Sequence, residues 1–309
     1  MKTPDELGQP FVFGTDYLKL PRDPQPWLIQ DMIPIQGLVN CYARPKVGKS
    51  FLAIGISEAI GNPSVDSFLG FPVRKHGKVL YLQIDTPRSF WADRLEKIVA
   101  TGDYDISNIG FADRLMAPKG FNILNIESKI WLKEEVARAA PLLVVLDTLR
   151  ELHNGDENDS TTMKNVVTAV VEAIPDSAIM FISHSRKEFQ SIGTDIMDDA
   201  RGSGYIAGRM DAVMKMTARE MHVKSRGGAL NIQIRQNADC GMIERTFTDA
   251  SLIDFADYLM HVYRELPQRE VAEIMAREAD ISEELARTKI RQWEEKRDKQ
   301  FEKKEEDED

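Results

Sequence analysis

One octapeptide near the start of the chain has the residue types that bind the phosphates of a nucleotide. Residues 43–50, Ala-Arg-Pro-Lys-Val-Gly-Lys-Ser, match the phosphate-loop pattern Gly-x-x-x-x-Gly-Lys-Ser/Thr at every fixed position except the first, where alanine stands in place of glycine. In such a loop, backbone N–H groups and the start of the following helix surround phosphate oxygens. Lys49 is expected to contact the β- and γ-phosphates of ATP, and the Ser50 hydroxyl to ligate Mg²⁺.

The segments on both sides of the octapeptide favour this interpretation over a chance Lys-Ser pair at a helix start. An apolar run at residues 38–42 predicts a strand before the loop, and residues 51–60 have the periodicity of a helix. Alanine accepts a positive φ less readily than glycine, so Ala43 is expected to alter the loop slightly. The cofactor-binding residues predicted on this basis are Ala43, Lys46, Val47, Gly48, Lys49, Ser50 and Phe51.

Two further apolar runs end in a carboxylate. Residues 142–147 are continuously apolar up to Asp147, as in a strand buried on both faces, and Asp147 is expected to hold Mg²⁺, usually through water. Residues 79–85 end in Asp85, which is expected to polarise the water that attacks the γ-phosphate. For each carboxylate the alternative is a cap of the next helix or turn.

A third apolar run, residues 179–184, ends in His184. This side chain is expected to hydrogen-bond a phosphate or the attacking water, and the alternative is a histidine satisfied by the next loop. The polar segment 185–204 follows, and a long polar loop at such an edge is usually functional. Nucleic acid is its expected ligand, although the aspartates of the segment weaken that inference.

A basic sequence, Lys224-Ser225-Arg226, precedes two glycines at a predicted hairpin turn. Cations at the tip of a hairpin do not easily reach the phosphate loop of their own chain. They are able to reach the γ-phosphate bound by a neighbouring subunit and act there as an arginine finger. The alternative is an ordinary solvated basic turn.

The composition is that of a soluble globular protein. The chain has 309 residues, 42% hydrophobic and 29% charged, enough for one large domain with a small appendage. A net charge of −10 excludes a protein that is basic throughout, but it permits a local concentration of Lys and Arg in a ring or groove. Two cysteines provide no disulfide framework, and no apolar segment is typical of a signal peptide or a membrane span. We therefore expect a cytoplasmic protein without a membrane partner.

The order of predicted elements is that of an α/β protein. Strands alternate with helix-length segments, which implies parallel pairing through right-handed crossovers, and the last three strands are close enough to form a meander. The expected fold is a doubly wound, mostly parallel sheet with an antiparallel extension and a small C-terminal helical segment. The predicted strands are residues 37–42, 78–84, 142–147, 178–183, 211–217, 220–225 and 230–236, and the predicted helices are residues 49–60, 88–101, 127–139 and 161–174.

The two ends of the chain differ from this central region. Residues 1–26 predict an irregular N-terminal arm before a domain at 27–249. Residues 250–300 have helical periodicity, with Ser282 as the expected cap of a third helix. Their spacing is typical of a DNA-binding helix–turn–helix or of a small bundle packed on the core or on a neighbour. The acidic residues 301–309 predict a solvated or interaction tail.

These segments, taken in order, resemble the RecA-type ATPase core. The resemblance is closest to hexameric helicases of the plasmid RepA type, with DnaB-type replicative helicases more distant. It covers about residues 25–236. The matching segments are residues 26–29, 45–50, 79–82, 144–147, 155–159, 184–187, 200–203 and 224–226.

The resemblance implies a role for each matching residue. Asp85 takes the place of the usual catalytic glutamate and is one methylene shorter, and His184 takes the place of a sensor. Lys224 and Arg226 correspond to a pair that acts on the neighbouring subunit, and Arg201 is a second candidate for contact across that interface. The implied catalytic residues are Lys49, Asp85, His184, Arg201, Lys224 and Arg226, and the implied metal ligands are Ser50 and Asp147.

The sequence therefore predicts an ATP-hydrolysing, ring-forming DNA motor, a replicative helicase of a plasmid or phage-like replicon. Its expected partners are single-stranded DNA, further copies of the chain in a hexamer, and a replication protein at the C-terminal segment or acidic tail. One alternative is a RecA-like recombination or repair ATPase that forms filaments. The other is a slow, nucleotide-controlled DNA-binding or regulatory module.

Overall fold

The structure is a computed structural model that describes residues 11–12, 14–21, 26–185 and 204–308. Arg201 and most of the polar segment 185–204 lie outside these ranges. The strands are β1 (Trp27–Ile29), β2 (Ile33–Pro34), β3 (Leu38–Ala43), β4 (Ser67–Phe68), β5 (Phe71–Pro72), β6 (Val79–Gln83), β7 (Ile109–Asp113), β8 (Leu143–Asp147), β9 (Ala178–His184), β10 (Ala212–Met216), β11 (Glu220–Ser225), β12 (Gly228–Gln236) and β13 (Ile243–Thr246). The helices are α1 (Lys49–Gly61), α2 (Arg88–Ala100), α3 (Ile126–Ala139), α4 (Ser160–Ala173), α5 (Gly204–Arg209), α6 (Asp249–Val262), α7 (Gln268–Ala279) and α8 (Glu283–Glu308), with short 3-10 helices at Gly14–Lys19 and Leu149–Leu152.

A large mixed sheet forms the centre of the described chain. Its strand order is β13-β12-β11-β10-β3-β9-β8-β6-β7. The strands from β10 to β7 pair in parallel, and β11, β12 and β13 extend the sheet with antiparallel pairs. This topology confirms the predicted α/β fold class.

Helices cover both faces of the sheet. One hydrophobic core lies beneath α1 and α2, and a second lies beneath α3, α4 and α5. Every residue of β3 and of β8 is buried, because these strands lie between the two cores. That position explains why their sequences are mostly apolar rather than alternating, apart from Asn40 in β3 and the terminal Asp147 in β8.

The predicted long strands and helices differ from the observed ones by at most two residues at either end. The sequence analysis missed β7 and β13, which lie at the two edges of the sheet. An edge strand has fewer buried neighbours and therefore a weaker apolar pattern, and β13 buries only Ile243 fully. It also missed α5 and the two-stranded ribbons β1–β2 and β4–β5, which are too short to show periodicity.

The three C-terminal helices form a bundle with its own core. Its largest buried side chains include Phe255, Met275 and Ile290. Arg245 of β13 joins the bundle to the sheet domain, because its guanidinium lies 4.2 Å from the ring centre of Phe255. The Ser282 hydroxyl accepts a hydrogen bond from the Leu285 N–H, as expected of a cap at the start of α8.

The backbone of α8 is helical through residues 301–308, which the sequence analysis set apart as an acidic tail. Glu and Lys dominate this stretch, and both are good helix formers even where nothing packs against them. Within the described ranges, no helix combines the length and apolar character that crossing a bilayer requires.

Candidate nucleotide-binding site

The sheet topology brings the predicted site residues to one edge. β3, β9, β8 and β6 are successive neighbours and run in parallel, so their carboxyl ends lie side by side. The register pairs Ala43 with His184 and Asp147 with Gln83. The phosphate loop therefore follows the strand next to the one that carries His184, and Asp147 lies one strand further along.

The conformation of the phosphate loop requires glycine at position 48. Gly48 has φ +97°, and an added Cβ would lie 3.0 Å from Ile243 Cδ1 and 3.3 Å from Met216 Cε. Lys46 supplies the other positive φ of the loop, at 66°. Ala43 is the buried last residue of β3 and has no positive φ. The expectation that alanine at this position alters the loop is therefore wrong, because an extended residue needs no glycine.

The remaining loop residues differ in what they offer a phosphate. Val47 and Phe51 pack their side chains against the core, so they present only backbone N–H groups. Lys46 is exposed. Helix α1 begins at Lys49, and no side chain caps its first turn. Uncapped N–H groups and the helix dipole favour an anion at this point.

Lys49 lies buried at the centre of the site. Its ammonium donates to the carbonyl oxygens of Ala43 at 3.2 Å and Arg44 at 3.1 Å, and it lies 3.4 Å from His184 Nδ1. Burial lowers the pKa of Lys49, and the neighbouring Cys41, Asp147 and Asp85 oppose that shift. The two carbonyl oxygens are weak partners for a cation, so a phosphate would replace them favourably.

Asp147 is held by a residue that the sequence analysis did not single out. The Tyr81 hydroxyl donates to Asp147 Oδ2 at 2.8 Å, and both side chains are buried. Burial raises the pKa of Asp147, while hydrogen bonds with Tyr81 and with Ser50 lower it. Burial also raises the pKa of Tyr81, which keeps its hydroxyl protonated as a donor. The sequence offered one signal for this role, a tyrosine within the apolar run that precedes Asp85. Tyr81 lies in the same core as Val79, whereas Leu80 and Leu82 face the other core.

The Ser50 hydroxyl and the Asp147 carboxylate are the donor set that Mg²⁺ prefers. Together they fit a hydrated Mg²⁺ bound to phosphate, because the buried Asp147 carboxyl has the Tyr81 and Ser50 hydroxyls as hydrogen-bond partners and Lys49 and Asp85 as neighbouring charges. Among the described residues, no three His, Cys, Asp or Glu side chains converge as a metal site of protein ligands alone would. A metal ion here would therefore take its remaining oxygens from the nucleotide and water.

Asp85 lies two residues beyond β6, at the same edge. It is exposed, and its charge acts on both Lys49 and Asp147. The N-cap of α2 is Pro87, with no side-chain cap hydrogen bond, so the alternative role of Asp85 as that cap is wrong. The alternative role of Asp147 was a turn cap. Its carboxylate instead accepts a hydrogen bond from the Tyr81 hydroxyl.

Lys224 and Arg226 lie at the other end of the sheet. The register pairs Ser225 with Ala212 and Ala212 with Val39, whereas Ala43 pairs with Met216. Ser225 is therefore level with Val39, which precedes Ala43 by four residues along β3. At about 3.3 Å per residue, this separation is about 13 Å. Arg226 donates to Asp211 Oδ1 at 2.8 Å, and Asp211 Oδ2 accepts from the Leu38 N–H at 2.9 Å.

A buried lysine, a serine and a carboxylate around an uncapped helix start, at the carboxyl edge of a parallel sheet, define the class of P-loop nucleotide-binding proteins. A family model described as an AAA domain, AAA_25, matches residues 3–190. The chain therefore belongs to the AAA_25 family, and its core carries the phosphate loop of a P-loop ATPase.

Two solved structures are similar to the chain. One is an ATPase domain that is 14% identical, with a TM-score of 0.49 over 69% of this chain and 85% of that one. The other is a KaiC-like protein from the hyperthermophilic archaeon Pyrococcus horikoshii OT3, which is 11% identical, with a TM-score of 0.48 over 71% of this chain and 94% of the other.

Proposed function

We propose that the protein is an ATP-driven motor that assembles as a ring, a hexamer, on single-stranded DNA and serves as the replicative helicase of a plasmid or phage-like replicon. ATP would bind at the phosphate loop, with Lys49 on its β- and γ-phosphates and Asp85 as the group that polarises the attacking water. Mg²⁺ held near Ser50 and Asp147 would neutralise charge on the phosphates.

The observation that carries the proposal is the separation of the cations. Lys49 lies at the carboxyl end of β3, and Arg226 lies near the amino end of the same strand, about 13 Å away along the sheet at about 3.3 Å per residue. A positive charge so far from its own phosphate loop fits a site completed by the next subunit. The ion pair of Arg226 with Asp211 is compatible with that role, because the Arg226 side chain is 76% exposed and an exposed pair is worth only about 0–1 kcal/mol.

A shared site would connect ATP turnover to movement of DNA. Hydrolysis removes the γ-phosphate that the neighbouring Arg226 contacts, so the interface between subunits would change with each cycle. Loops at that edge would then shift a strand held in the centre of the ring. The net charge of −10 means that such a strand must meet a local concentration of cations.

The test measures ATP hydrolysis with and without single-stranded DNA, together with particle mass by mass photometry. The proposal expects particles of six chains and turnover that rises when DNA is added. Open filaments on DNA would favour the recombination ATPase instead. Slow turnover that ignores DNA, without strand separation, would favour the regulatory module and contradict the motor.

A further inference from the structure

The C-terminal bundle has a tight turn between its last two helices. Three residues, 280–282, join α7 to α8. Asp280 caps the end of α7 with φ 52°, and the Ile281 N–H donates to the Ala276 carbonyl oxygen at 3.0 Å. The Ser282 hydroxyl then caps the first turn of α8. A turn of three or four residues between two helices is the connection found in a helix–turn–helix.

The core of the bundle fixes which side of each helix is buried. Met275 and Ala276 of α7 pack together with Ala286 and Ile290 of α8. Phe255 of α6 belongs to the same core, so α6 supports the other two helices. Three helices around one core, with a tight turn between the last two, form the arrangement of a small DNA-binding domain.

Three exposed arginines line a groove where α7 and α8 meet, with a volume of about 600 Å³. Arg269 lies in the first turn of α7, and Arg287 and Arg291 lie one turn apart on α8. Two of them form ion pairs along their own helices, Arg269 with Glu273 at 3.0 Å and Arg287 with Glu283 at 2.9 Å. Exposed pairs of this kind contribute little to stability, so phosphate oxygens are able to replace them.

The other polar groups of the groove leave its positive charge in excess. Among the described residues that line it, Glu294 is the one carboxylate, and it accepts a hydrogen bond from Gln268 Nε2. Three guanidinium groups against one carboxylate favour an anionic partner.

The shape of this surface favours duplex DNA over a single strand. An α-helix with its side chains is about 10–12 Å wide, and the major groove of duplex DNA is about 12 Å wide. In a helix–turn–helix the second helix enters the major groove while the first crosses the phosphate backbone. Sites for single strands rely on aromatic side chains that stack on bases, and none of the described residues that line this groove is aromatic.

We propose that α7 and α8 form a helix–turn–helix that binds duplex DNA at a preferred base sequence, with α8 in the major groove. Arg287, in the second turn of α8, contacts the edge of a guanine, and Arg269 and Arg291 contact phosphates. Glu283 repels phosphates and accepts from a cytosine amino group, which keeps binding to unrelated duplexes weak. The inference goes beyond the proposed motor, which acts on single-stranded DNA through the ATPase domain.

The test begins with a selection of duplexes by the full chain. A pool of double-stranded oligonucleotides with a random central segment is incubated with the protein, and the retained duplexes are sequenced over successive rounds. We expect one base sequence to become enriched. Fluorescence anisotropy then compares the enriched duplex, a scrambled duplex of the same composition and oligo-dT. The enriched duplex should bind roughly tenfold or more tightly than the scrambled one.

Two variants separate the contacts with bases from those with phosphates. Arg287→Ala should bind the enriched duplex about tenfold more weakly and lose selectivity against the scrambled one. Arg269→Ala should weaken binding to both duplexes alike and lower the log–log salt slope by about 0.9, the loss of one phosphate contact. Arg138→Ala, which removes an exposed arginine of α3 that pairs with Glu135, is the control and should bind as the wild type does. Thermal unfolding checks that each variant is folded.

The outcomes separate this inference from the proposed function. A selection without an enriched sequence would overturn the inference, as would a folded Arg287→Ala protein that selects and binds like the wild type. If both arginine variants lose oligo-dT binding as strongly as duplex binding, the groove belongs to a single strand and the inference fails. The proposed motor is judged separately, by the particle mass and the DNA-stimulated turnover of the wild type.

Discussion

The two ends of the central strands differ in how completely they hold a catalytic site. At the carboxyl end, one chain brings Lys49, Ser50 and Asp147 together: Asp147 is hydrogen-bonded with Ser50, and the charge of the buried Lys49 acts on Asp147. At the amino end, Arg226 is exposed and contacts only Asp211 of its own chain among the ion pairs described. Under the proposed function, phosphate binding would belong to the single chain, whereas stabilisation of the transition state would need the neighbouring subunit.

Replacing Arg226 by alanine tests the amino end of the central strands and has the largest expected effect. If Arg226 reaches the nucleotide of a neighbour, Arg226→Ala should lower steady-state ATP turnover by roughly 10³-fold or more. Assembly and thermal unfolding should change little, because an exposed ion pair contributes about 0–1 kcal/mol. Arg235→Ala is the control, since it also removes an exposed arginine that pairs with a carboxylate, here that of Glu244. An assembled Arg226→Ala protein with the wild-type rate would leave residues 224–226 as a solvated turn.

Substitutions of Asp85 test whether the carboxyl end of the strands also supplies the group that activates the attacking water. Asp85→Asn should bind ATP normally but hydrolyse it roughly 10²-fold more slowly, because an amide cannot accept a proton from water. Asp85→Glu keeps the carboxylate and should retain activity. ATP binding by a fluorescent analogue and turnover by phosphate release separate the two steps. Normal turnover by Asp85→Asn would show that another group activates the water.

Lys49 tests whether the two ends belong to one site. Lys49→Ala should lose on the order of 10²-fold or more of the turnover, because it removes the buried cation placed on the phosphates. Mixing Lys49→Ala with Arg226→Ala chains, after subunit exchange, should restore part of the activity at interfaces that combine an intact loop with an intact arginine. Lys49→Ala protein that keeps more than about a tenth of the rate would remove the site assignment.

Tyr81 tests how the chain positions the metal ligand and has the smallest expected effect. Tyr81→Phe removes the hydrogen bond to Asp147, and loss of such a supporting contact costs about tenfold in metal affinity. The Mg²⁺ concentration for half-maximal ATPase should rise accordingly, while the rate at saturating Mg²⁺ stays close to that of the wild type. Phe111→Leu disturbs the packing of the same ring, whose centre lies 5.7 Å away, and is the control. An unchanged Mg²⁺ requirement would reduce Tyr81 to a core aromatic residue.

The sequence predicted the elements that carry the site because those elements are buried on both sides. β3, β8 and β9 are mostly apolar, β8 ends in Asp147, β9 ends in His184, and the phosphate loop follows β3. The edge strand β13 escaped prediction although its Ile243 packs against the phosphate-loop glycine. The role of Ile243 depends on its contact with Gly48, which is distant in sequence, so the local sequence pattern of β13 does not reveal it.

Arg226 and His153 illustrate the same limit for single side chains. A basic turn predicts a cation but not its partner, and Asp211 became that partner only through the antiparallel pairing of β10 with β11. His153 stands in a polar stretch with no periodic signal, and only the packing of the loop after β8 buries it beside two arginines.

The sequence by itself determined the phosphate loop, the order of strands and helices, and the carboxylates at the strand ends. These follow from local rules, since a motif of fixed spacing and an apolar run carry their meaning in adjacent residues. The tertiary structure alone decided that Arg226 pairs with Asp211 at the amino end of the sheet, that Tyr81 holds Asp147, and that position 43 needs no glycine. Those outcomes depend on strand order and register, which bring together residues far apart in the chain and so are set by packing of the whole domain.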